Sequence, residues 1–366
     1  MKCISFWKKH KYIKNINLLI NKYQNMIILI TGVAGLIGSK FGDWLIDNLE
    51  KKGITEYEII GIDDLSGGYR ENIHEKIKFY NINLTNFNDV EVLFKENPNI
   101  DLVYHFAAYA AEGLSPFIRK FNYNNNLLAT TNLVNLSIKY CIRRLVFTSS
   151  MATYGNGRGD NPFTENTPQE PIDPYGVAKF ACEMDIKIAG EQHGLEWCII
   201  RPHNVFGDKQ NIWDVYRNVL GIWMYQLLNN EDITIYGDGT QTRAFSYIDD
   251  ILEPLWKAGI DERSKNECIN LGGYREYSIN EAADTLIDLV GYGRKLYLEK
   301  RHEVHNAVCS HEKSVKLLDY KMNTDLRDGL KTMWEWAKKQ PKRERKEWNT
   351  YELEKGIYKY WQKIRN

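Results

Sequence analysis

The sequence predicts an α/β protein in which a doubly wound, parallel sheet is followed by a smaller C-terminal lobe. Three observations lead to this prediction. Short apolar strands alternate with amphipathic helices from Met26 to about Arg201, and such alternation is typical of βαβ units with a parallel sheet. A glycine-rich turn joins the first strand to the first helix. After Arg201 the alternation stops and the chain becomes rich in turns.

The strands of the expected sheet are short apolar runs bounded by polar turns. They are predicted at Met26–Thr31, Tyr57–Ile62, Ile77–Ile82, Asp101–Phe106, Arg144–Ser149 and Trp197–Arg201. The amphipathic helices between them are predicted at Leu36–Lys51, Asn125–Tyr140 and Tyr175–His193. Because parallel strands end at the same edge of a sheet, we expect a ligand to bind at their carboxyl ends.

The remaining residues form three further segments of the 366-residue chain. Residues 202–330 are predicted to form the smaller lobe, with a turn at Tyr236–Gly239, a helix at Asp214–Asn229 and a strand at Cys268–Leu271. Residues 331–366 are charged and rich in Trp and Tyr, which predicts one or two surface helices. Residues 1–25 are basic and contain no acidic residue, and we expect them to be a dispensable leader.

Composition excludes several classes of function. Lys and Arg together number 48, as do Asp and Glu, so no global field attracts nucleic acid or an anionic membrane. No apolar run is long enough to span a membrane. The six cysteines are scattered without a C-x-x-C pair, which favours a reducing, cytoplasmic compartment. An anionic ligand must therefore be held by a few local cations.

The first strand runs into Gly32-Val-Ala-Gly35-Leu-Ile-Gly38. Closely spaced glycines before a helix let the backbone approach a pyrophosphate, and the helix N-terminus supplies free N–H groups. The second strand ends at Asp63. A carboxylate at this position accepts hydrogen bonds from an adenosine ribose and repels a 2′-phosphate. These residues together predict a site for NAD rather than NADP.

A candidate for acid–base chemistry follows Pro174, where Tyr175 and Lys179 lie four residues apart and so share a helix face. A free phenol has a pKa of about 10, so acting near pH 7 requires a shift of about three units, or roughly 4 kcal/mol. A cation about 5 Å away supplies roughly 3 kcal/mol at an effective dielectric of about 20. We therefore expect the lysine, assisted by a positively charged nicotinamide, to make the phenol acidic. Ser150, at the end of a strand, is expected to bond the substrate hydroxyl.

These motifs together resemble the extended short-chain dehydrogenase/reductases, the NAD-dependent epimerase/dehydratase family. The resemblance runs from about Ile27 to about Leu330. It implies that residues 26–201 form a Rossmann-type NAD-binding domain and that residues 202–330 form the lobe that binds a nucleotide sugar, with some exchange of segments between the two. It also implies a homodimer that pairs through helices within Phe117–Tyr140 and Tyr175–His193.

The resemblance assigns site residues motif by motif. Ser150, Tyr175 and Lys179 match the catalytic positions, and Tyr175 and Lys179 also contact the cofactor. The other expected cofactor-binding residues are Gly32, Gly35, Leu36, Ile37, Gly38, Asp63, Asn83, Leu84, Ala107, Ala108 and Asn126. Substrate binding is expected from Ser150, Tyr175, Asn204, Arg243 and Arg301. The chain departs from the family pattern where Asn83 and Ala244 replace aspartates and where His302-Glu-Val-His305 replaces a proline/glycine turn.

The residues after Ser150 distinguish the reactions of this family. Dehydratases carry an Asp-Glu pair there, whereas this chain has Met151 and Ala152, which transfer no protons. We therefore expect a 4-epimerase of UDP-hexoses that works through a transient 4-keto sugar and retains NAD. Dehydratase, decarboxylase, uronate epimerase and 4-ketosugar reductase remain alternatives, and a non-catalytic dinucleotide-binding sensor or scaffold is an alternative of another class.

Two weaker expectations concern the second half of the chain. The position resembling the family's gate residue falls near Ala307, and a small side chain there would leave room for an N-acetylhexosamine. His302, His305, Cys309 and His311 are close in sequence, but their H-E-x-H spacing fails the H-E-x-x-H pattern of zinc proteases. No metal site is therefore expected.

Overall fold

The computed structural model describes residues 25–159 and 162–364. The predicted basic extension lies outside this range except for Asn25. Within it, none of the helices is both long enough and apolar enough to cross a membrane.

Seven strands form the central sheet, in the spatial order β3-β2-β1-β4-β5-β6-β11. All neighbouring pairs in it are parallel. The strands of the whole chain are β1 (Met26–Thr31), β2 (Tyr57–Asp63), β3 (Lys78–Asn81), β4 (Leu102–His105), β5 (Arg144–Thr148), β6 (Trp197–Pro202), β7 (Val205–Phe206), β8 (Ile233–Tyr236), β9 (Thr242–Ala244), β10 (Ser246–Tyr247), β11 (Glu267–Leu271), β12 (Glu276–Ser278), β13 (Lys295–Leu298) and β14 (Asn306–Ala307).

Helices cover both faces of this sheet, as a doubly wound fold requires. Apolar side chains of α1 and α7 pack on one face, and those of α2, α4 and α5 pack on the other. The α-helices are α1 (Leu36–Asn48), α2 (Phe87–Glu96), α3 (Arg119–Tyr123), α4 (Ala129–Lys139), α5 (Pro174–His193), α6 (Val219–Leu228), α7 (Ile248–Ile260), α8 (Ile279–Val290), α9 (Glu312–Leu318), α10 (Leu326–Ala337) and α11 (Lys359–Ile364). The predicted fold class is confirmed.

The predicted elements differ from the observed ones mainly at their ends. The helix expected at Asn125–Tyr140 is a π-helical turn, Asn124–Leu128, followed by α4. The helix expected at Asp214–Asn229 begins only at Val219. Asn218 ends the preceding loop and caps α6, since its side chain accepts a hydrogen bond from the Leu220 amide at 2.9 Å. Apolar spacing did not reveal this cap.

The smaller lobe contains three short sheets, formed by β7 with β10, by β8 with β13, and by β9 with β12 and β14. One strand of residues 202–330 nevertheless belongs to the central sheet, because β11 pairs in parallel with β6. The chain thus returns to the central sheet before it completes the three short sheets.

Residues 338–364 form a segment that packs against distant parts of the chain, and we call it the C-terminal strap. Its Lys346 amide donates to the Trp213 carbonyl at 2.8 Å. The Arg343 guanidinium lies 4.0 Å from the centre of the Tyr69 ring, and the Tyr358 hydroxyl accepts from the His302 amide at 3.1 Å. The prediction of surface helices was incomplete here, because most of the strap is irregular chain whose aromatic side chains are buried.

A buried ion pair fixes the end of β6 to helix α5. The Arg201 guanidinium donates to both carboxylate oxygens of Glu183, at 2.9 and 2.6 Å, and both side chains are buried. Ser149, beside a predicted catalytic residue, donates to the same carboxylate at 2.5 Å. The ion pair lowers the pKa of Glu183, although burial alone would raise it. The end of β5, the end of β6 and helix α5 are therefore held together by this one ion pair.

We predict that Glu183→Gln lowers the free energy of unfolding by about 3 kcal/mol or more, because it leaves the Arg201 charge buried without a counter-charge. Urea unfolding followed by circular dichroism measures the change. Glu335→Gln, which removes an exposed pair with Lys338, serves as the control and should unfold like wild type. A Glu183→Gln protein as stable as the control would contradict this account of the pair.

Candidate active site

A large cleft lies at the carboxyl ends of the parallel strands, with a volume of about 400 Å³. This is within the range of cavities that hold cofactors and small ligands. It is lined by the glycine turn after β1, by the ends of β2, β4 and β5, by the start of α5, and by β8 and β9 of the smaller lobe. The cleft therefore lies between the two parts of the fold, where the strand order predicts a ligand.

The glycine turn forms one wall of the cleft. A Cβ atom on Gly32 would lie 2.7 Å from the Ala107 amide nitrogen, and one on Gly38 would lie 2.2 Å from the Gly32 carbonyl oxygen. The backbone thus packs too closely for side chains. Gly35 precedes α1 and provides no side-chain cap, so the helix presents its first N–H groups to the cleft beside Leu36 and Ile37. Such a helix start suits an anionic ligand.

The ends of β2 and β3 form the neighbouring wall. The Asp63 carboxylate accepts from the Ala34 amide at 3.0 Å and from the Leu65 amide at 2.8 Å. Burial raises its pKa, which these hydrogen bonds counteract. Asn83 donates to Asp64 at 2.9 Å. Asp63, Asn83 and Leu84 all line the cleft, so the amide that replaces the family's aspartate sits where it could still contact an adenosine.

Ala107 and Ala108, which follow β4, also line the cleft, whereas Asn126 does not. The Asn126 side chain accepts from the Tyr109 amide at 2.9 Å and donates to the Tyr109 carbonyl at 3.3 Å. The structure therefore gives no support to the expected direct contact between this residue and the cofactor. Its buried amide holds the loop after β4, and it is a positioning residue.

The three predicted catalytic residues meet on the floor of the cleft. Tyr175 is the second residue of α5, because Pro174 occupies the first turn and Asp173 caps the helix by accepting from the Gly176 amide at 2.9 Å. Lys179 follows one turn later. Its Nζ donates to the Thr148 carbonyl at 2.8 Å and lies 6.0 Å from the centre of the Tyr175 ring. Ser150 hydrogen-bonds Tyr175 from the end of β5.

The electrostatics of Tyr175 differ from the sequence-based expectation. Its pKa is raised, chiefly by burial and then by the negative charge of Glu112, while the Ser150 hydrogen bond opposes the increase. Burial lowers the pKa of Lys179 to about 8. The expectation that the lysine nearly suffices to make the phenol acidic was wrong, because it neglected the cost of burying a phenolate.

The opposite end of the cleft carries two arginines. Arg243, on β9, and Arg301 both donate to the Glu303 carboxylate, at 2.9 and 3.3 Å. The Arg301 guanidinium stacks 4.7 Å from the centre of the Tyr236 ring. Pairing of β9 with two strands fixes the direction of Arg243 despite the unusual Ala244. The side chain of Asn204 donates to the Ala244 carbonyl at 3.1 Å and also lines the cleft.

The family model that matches residues 28–272 is that of the NAD dependent epimerase/dehydratase family. The chain belongs to this family.

The chain is similar to several 4-epimerases of UDP-sugars, and also to a UDP-glucuronic acid decarboxylase and a dTDP-glucose 4,6-dehydratase. A putative UDP-glucose 4-epimerase of Methanocaldococcus jannaschii is 32% identical over 85% of the chain and 98% of its own length. The crystal structure of a Thermotoga maritima UDP-glucose 4-epimerase with UDP-glucose has a TM-score of 0.79 at 30% identity, over 85% of the chain and 98% of its own. A Bacillus cereus UDP-glucuronic acid 4-epimerase with UDP-glucuronic acid and NAD has a TM-score of 0.76 at 27% identity, over 86% of the chain and 99% of its own.

Several cleft residues of this family member were missed by sequence reasoning. The Arg217 guanidinium donates to Asp214 at 3.0 Å and lies 4.7 Å from the centre of the Tyr109 ring. Neither side-chain polar atom of Gln210 has a hydrogen-bond partner among the described residues, although the amide is buried. Glu112 opens into the cleft between the phenol and the arginines. None of these was assigned a motif, so only the fold brings them to the site.

Two weaker expectations concerned a gate residue near Ala307 and a metal site in the second half of the chain. Ala307 is buried against Met151 and Tyr154 and is not among the residues that line the cleft, so the argument for extra room is not supported. Within residues 25–159 and 162–364, no group of three or more His, Cys, Asp or Glu side chains is placed to hold a metal ion. His311, for example, hydrogen-bonds the Gly273 carbonyl at 3.0 Å.

We predict that Gly38→Ala destabilises the protein by about 1–3 kcal/mol, because the added methyl overlaps backbone atoms that cannot move away. A loss of stability would be informative, because alanine is otherwise favoured over glycine inside a helix by about 1 kcal/mol. Thermal unfolding measures stability, and assay of the NAD released on denaturation measures cofactor retention, which should also fall. Gly35→Ala, whose Cβ would meet only the Gly32 carbonyl oxygen at 3.4 Å, is the control for stability. Wild-type stability and NAD content in Gly38→Ala would refute the close-packed turn.

Proposed function

We propose that the protein is an NAD-dependent isomerase that interconverts UDP-hexoses, or UDP-N-acetylhexosamines, epimeric at C4. One observation carries this proposal: Ser150, Tyr175 and Lys179 line the same cleft as Arg243 and Arg301. A nucleotide sugar has the matching arrangement, with a carbinol to be deprotonated at one end and a diphosphate at the other. The named relatives act on substrates of this kind.

The residues of the cleft fit NAD. The side-chain-free glycine turn and the uncapped start of α1 suit its pyrophosphate, and Asp63 suits its adenosine ribose. The unpartnered Gln210 amide provides a further donor and acceptor at the cleft. Bound at these residues, NAD would supply the reversible hydride transfer that epimerisation of a sugar carbon requires.

Tyr175 is the group proposed to remove the proton from the sugar 4-hydroxyl and to give it back. Ser150, already hydrogen-bonded to the phenol, would orient the same hydroxyl. Lys179 is held beneath the phenol ring by the Thr148 carbonyl, where its positive charge favours the phenolate. Because burial opposes ionisation, proton removal requires further positive charge at the site, which an oxidised nicotinamide would carry.

Arg243 and Arg301 are proposed to bind the diphosphate. Guanidinium groups match phosphate oxygens in geometry and charge, and the Nε of Arg301 is buried without a partner among the described residues. Asn204, whose backbone adopts a positive φ of 24° beside these arginines, would add an amide contact to the sugar nucleotide. The chain, neutral overall, thus concentrates its cations where the substrate is anionic.

The residues after Ser150 favour epimerisation over dehydration. Met151 and Ala152 are buried and carry no group able to transfer a proton, whereas removal of water from the sugar needs an acid and a base. A decarboxylase or 4-ketosugar reductase uses the same three catalytic residues, so these two reactions are separated by product analysis. A sensor or scaffold would not require the phenol and the lysine to converge on the cleft.

A homodimer in the cytoplasm is proposed on separate grounds. Val177, Met184 and Ile188 are spaced to share one face of α5, and they are 39%, 48% and 46% exposed. Leu128, at the end of the π-helical turn, is also exposed. Apolar side chains grouped in this way are typical of subunit contacts. The cysteines among the described residues are free, which suits a reducing compartment.

Incubation of the purified protein with UDP-glucose should yield UDP-galactose, read from the sugar signals by NMR, with no NAD(H) consumed. We predict that Tyr175→Phe lowers kcat about 100-fold to 10,000-fold, because it removes the proton-transferring group, while the NAD content stays at the wild-type level.

Tyr274→Phe is the matched control, since this exposed tyrosine lies outside the cleft. Full activity of Tyr175→Phe would exclude the proposed mechanism. Pentose products or stoichiometric NADH oxidation in the wild-type reaction would replace the 4-epimerase by a decarboxylase or a reductase.

We predict that Met184→Lys combined with Ile188→Lys converts a dimer into monomers, because charged side chains would be buried without partners in the α5 contact. Sedimentation velocity measures the change. Val315→Lys replaces an equally exposed apolar residue on α9 and should leave the dimer intact. A double variant that sediments like wild type would show that this face is not the subunit contact.

A further inference from the structure

The Glu112 side chain lies in the part of the cleft where the sugar is proposed to bind. It lines the cavity, and its carboxyl interacts electrostatically with Tyr175 and with both Arg243 and Arg301. In the proposed reaction, the hexose lies between the Tyr175 phenol and the arginines that bind the diphosphate. A side chain that interacts with both of these sites is therefore expected beside the sugar ring. No motif of the sequence assigns a role to this residue.

The backbone of Glu112 is fixed relative to Tyr175 by a single hydroxyl. The Ser115 Oγ donates to the Glu112 carbonyl at 2.8 Å and accepts from the Tyr175 amide at 3.2 Å. The next residue, Gly113, lies so close to Arg301 that a Cβ there would be 3.4 Å from a guanidinium nitrogen. The loop that carries Glu112 therefore bridges the acid–base residue and the diphosphate arginines.

Charged groups of both signs act on Glu112. Asp173, which caps α5, and Glu303 act on it together with the two arginines, but Glu303 already pairs with both arginines. Enclosure of the carboxyl by the walls of the cleft, followed by the negative charge of Asp173, raises the pKa of Glu112 to about 7, although the residue as a whole is exposed towards the open cleft. The Tyr175 phenol and a carboxyl group that has no salt bridge of its own among the described residues thus line the same cleft.

We propose that Glu112 is a specificity-determining residue that selects neutral hexoses and rejects hexuronates. The inference rests on the proposed 4-epimerase function and narrows its substrate class. Hydroxyl groups of a neutral sugar can donate to the Glu112 carboxylate, whereas the carboxylate of a uronate meets a like charge. The named relatives include enzymes of UDP-glucose and of UDP-glucuronic acid, so family membership alone leaves this choice open.

The expected size of the effect follows from the dimensions of a sugar. A carboxylate carried by the hexose would lie about 6–8 Å from Glu112, and at an effective dielectric of about 20 the repulsion corresponds to roughly a 30-fold to 100-fold loss of affinity. At about pH 9, where Glu112 is fully ionised because its pKa is about 7, wild type should therefore prefer UDP-glucose to UDP-glucuronate by at least about 30-fold in kcat/KM. Glu112→Gln keeps the shape and a hydrogen-bonding group but removes the charge, and it should reduce this preference at least about tenfold.

The test compares wild type, Glu112→Gln and Glu170→Gln, all loaded with NAD, on UDP-glucose and UDP-glucuronate. Glu170 pairs with Arg158 on the surface outside the cleft, so its variant controls for the loss of one negative charge and should keep the wild-type ratio. The pH dependence gives a second readout. The wild-type preference for UDP-glucose should increase as the pH rises through about 7, where Glu112 ionises, and Glu112→Gln should lose this dependence.

Calorimetric binding of the two nucleotide sugars separates the inference from the proposed function. If wild type epimerises UDP-glucose but Glu112→Gln keeps the wild-type ratio, or if wild type accepts both sugars equally, the inference is overturned and the proposed function stands. If neither sugar is epimerised yet wild type binds UDP-glucose more tightly and Glu112→Gln removes the difference, the proposed function fails and the charge selection is supported.

Discussion

The burial of the Tyr175 phenol is the constraint around which the cleft is arranged. Burial and the neighbouring Glu112 carboxyl both favour the protonated form of the phenol. The Lys179 ammonium does not reverse this, because burial lowers its own pKa. In the proposed mechanism, ionisation would therefore need positive charge from the bound cofactor. Proton removal would then be coupled to the presence of NAD+, the group that must accept the hydride.

The parts of the fold that depend on local chemistry could be predicted from the sequence. Strand β1 and the glycine turn were located to the residue, because a buried parallel strand is a continuous apolar run and the turn needs glycines. The start of α5 was also predicted, since Pro174 is favoured in a first turn. Tyr175 and Lys179 therefore reach the cleft where four-residue spacing on one helix face places them.

The residues that escaped prediction act through contacts between distant segments. Glu112 and Glu303 lie 191 positions apart in the sequence yet face the same pair of arginines. The C-terminal strap joins Tyr69 of the first domain to His302 of the second, which composition alone had suggested to be surface helix. Asn126 was assigned to the cofactor because its motif is close to the site, although its amide holds a loop. Tertiary packing, which no local pattern encodes, decides each of these cases.

The pKa of Tyr175 in the presence of oxidised and reduced cofactor tests the central claim most directly. It is obtained from the ultraviolet pH titration of tyrosinate, as the difference between wild type and Tyr175→Phe loaded with NAD+ or with NADH. A positive nicotinamide about 6 Å from the phenol should lower the pKa by roughly two units relative to NADH. Equal pKa values with the two cofactors would contradict the account, because the charge needed to ionise the buried phenol would then come from elsewhere.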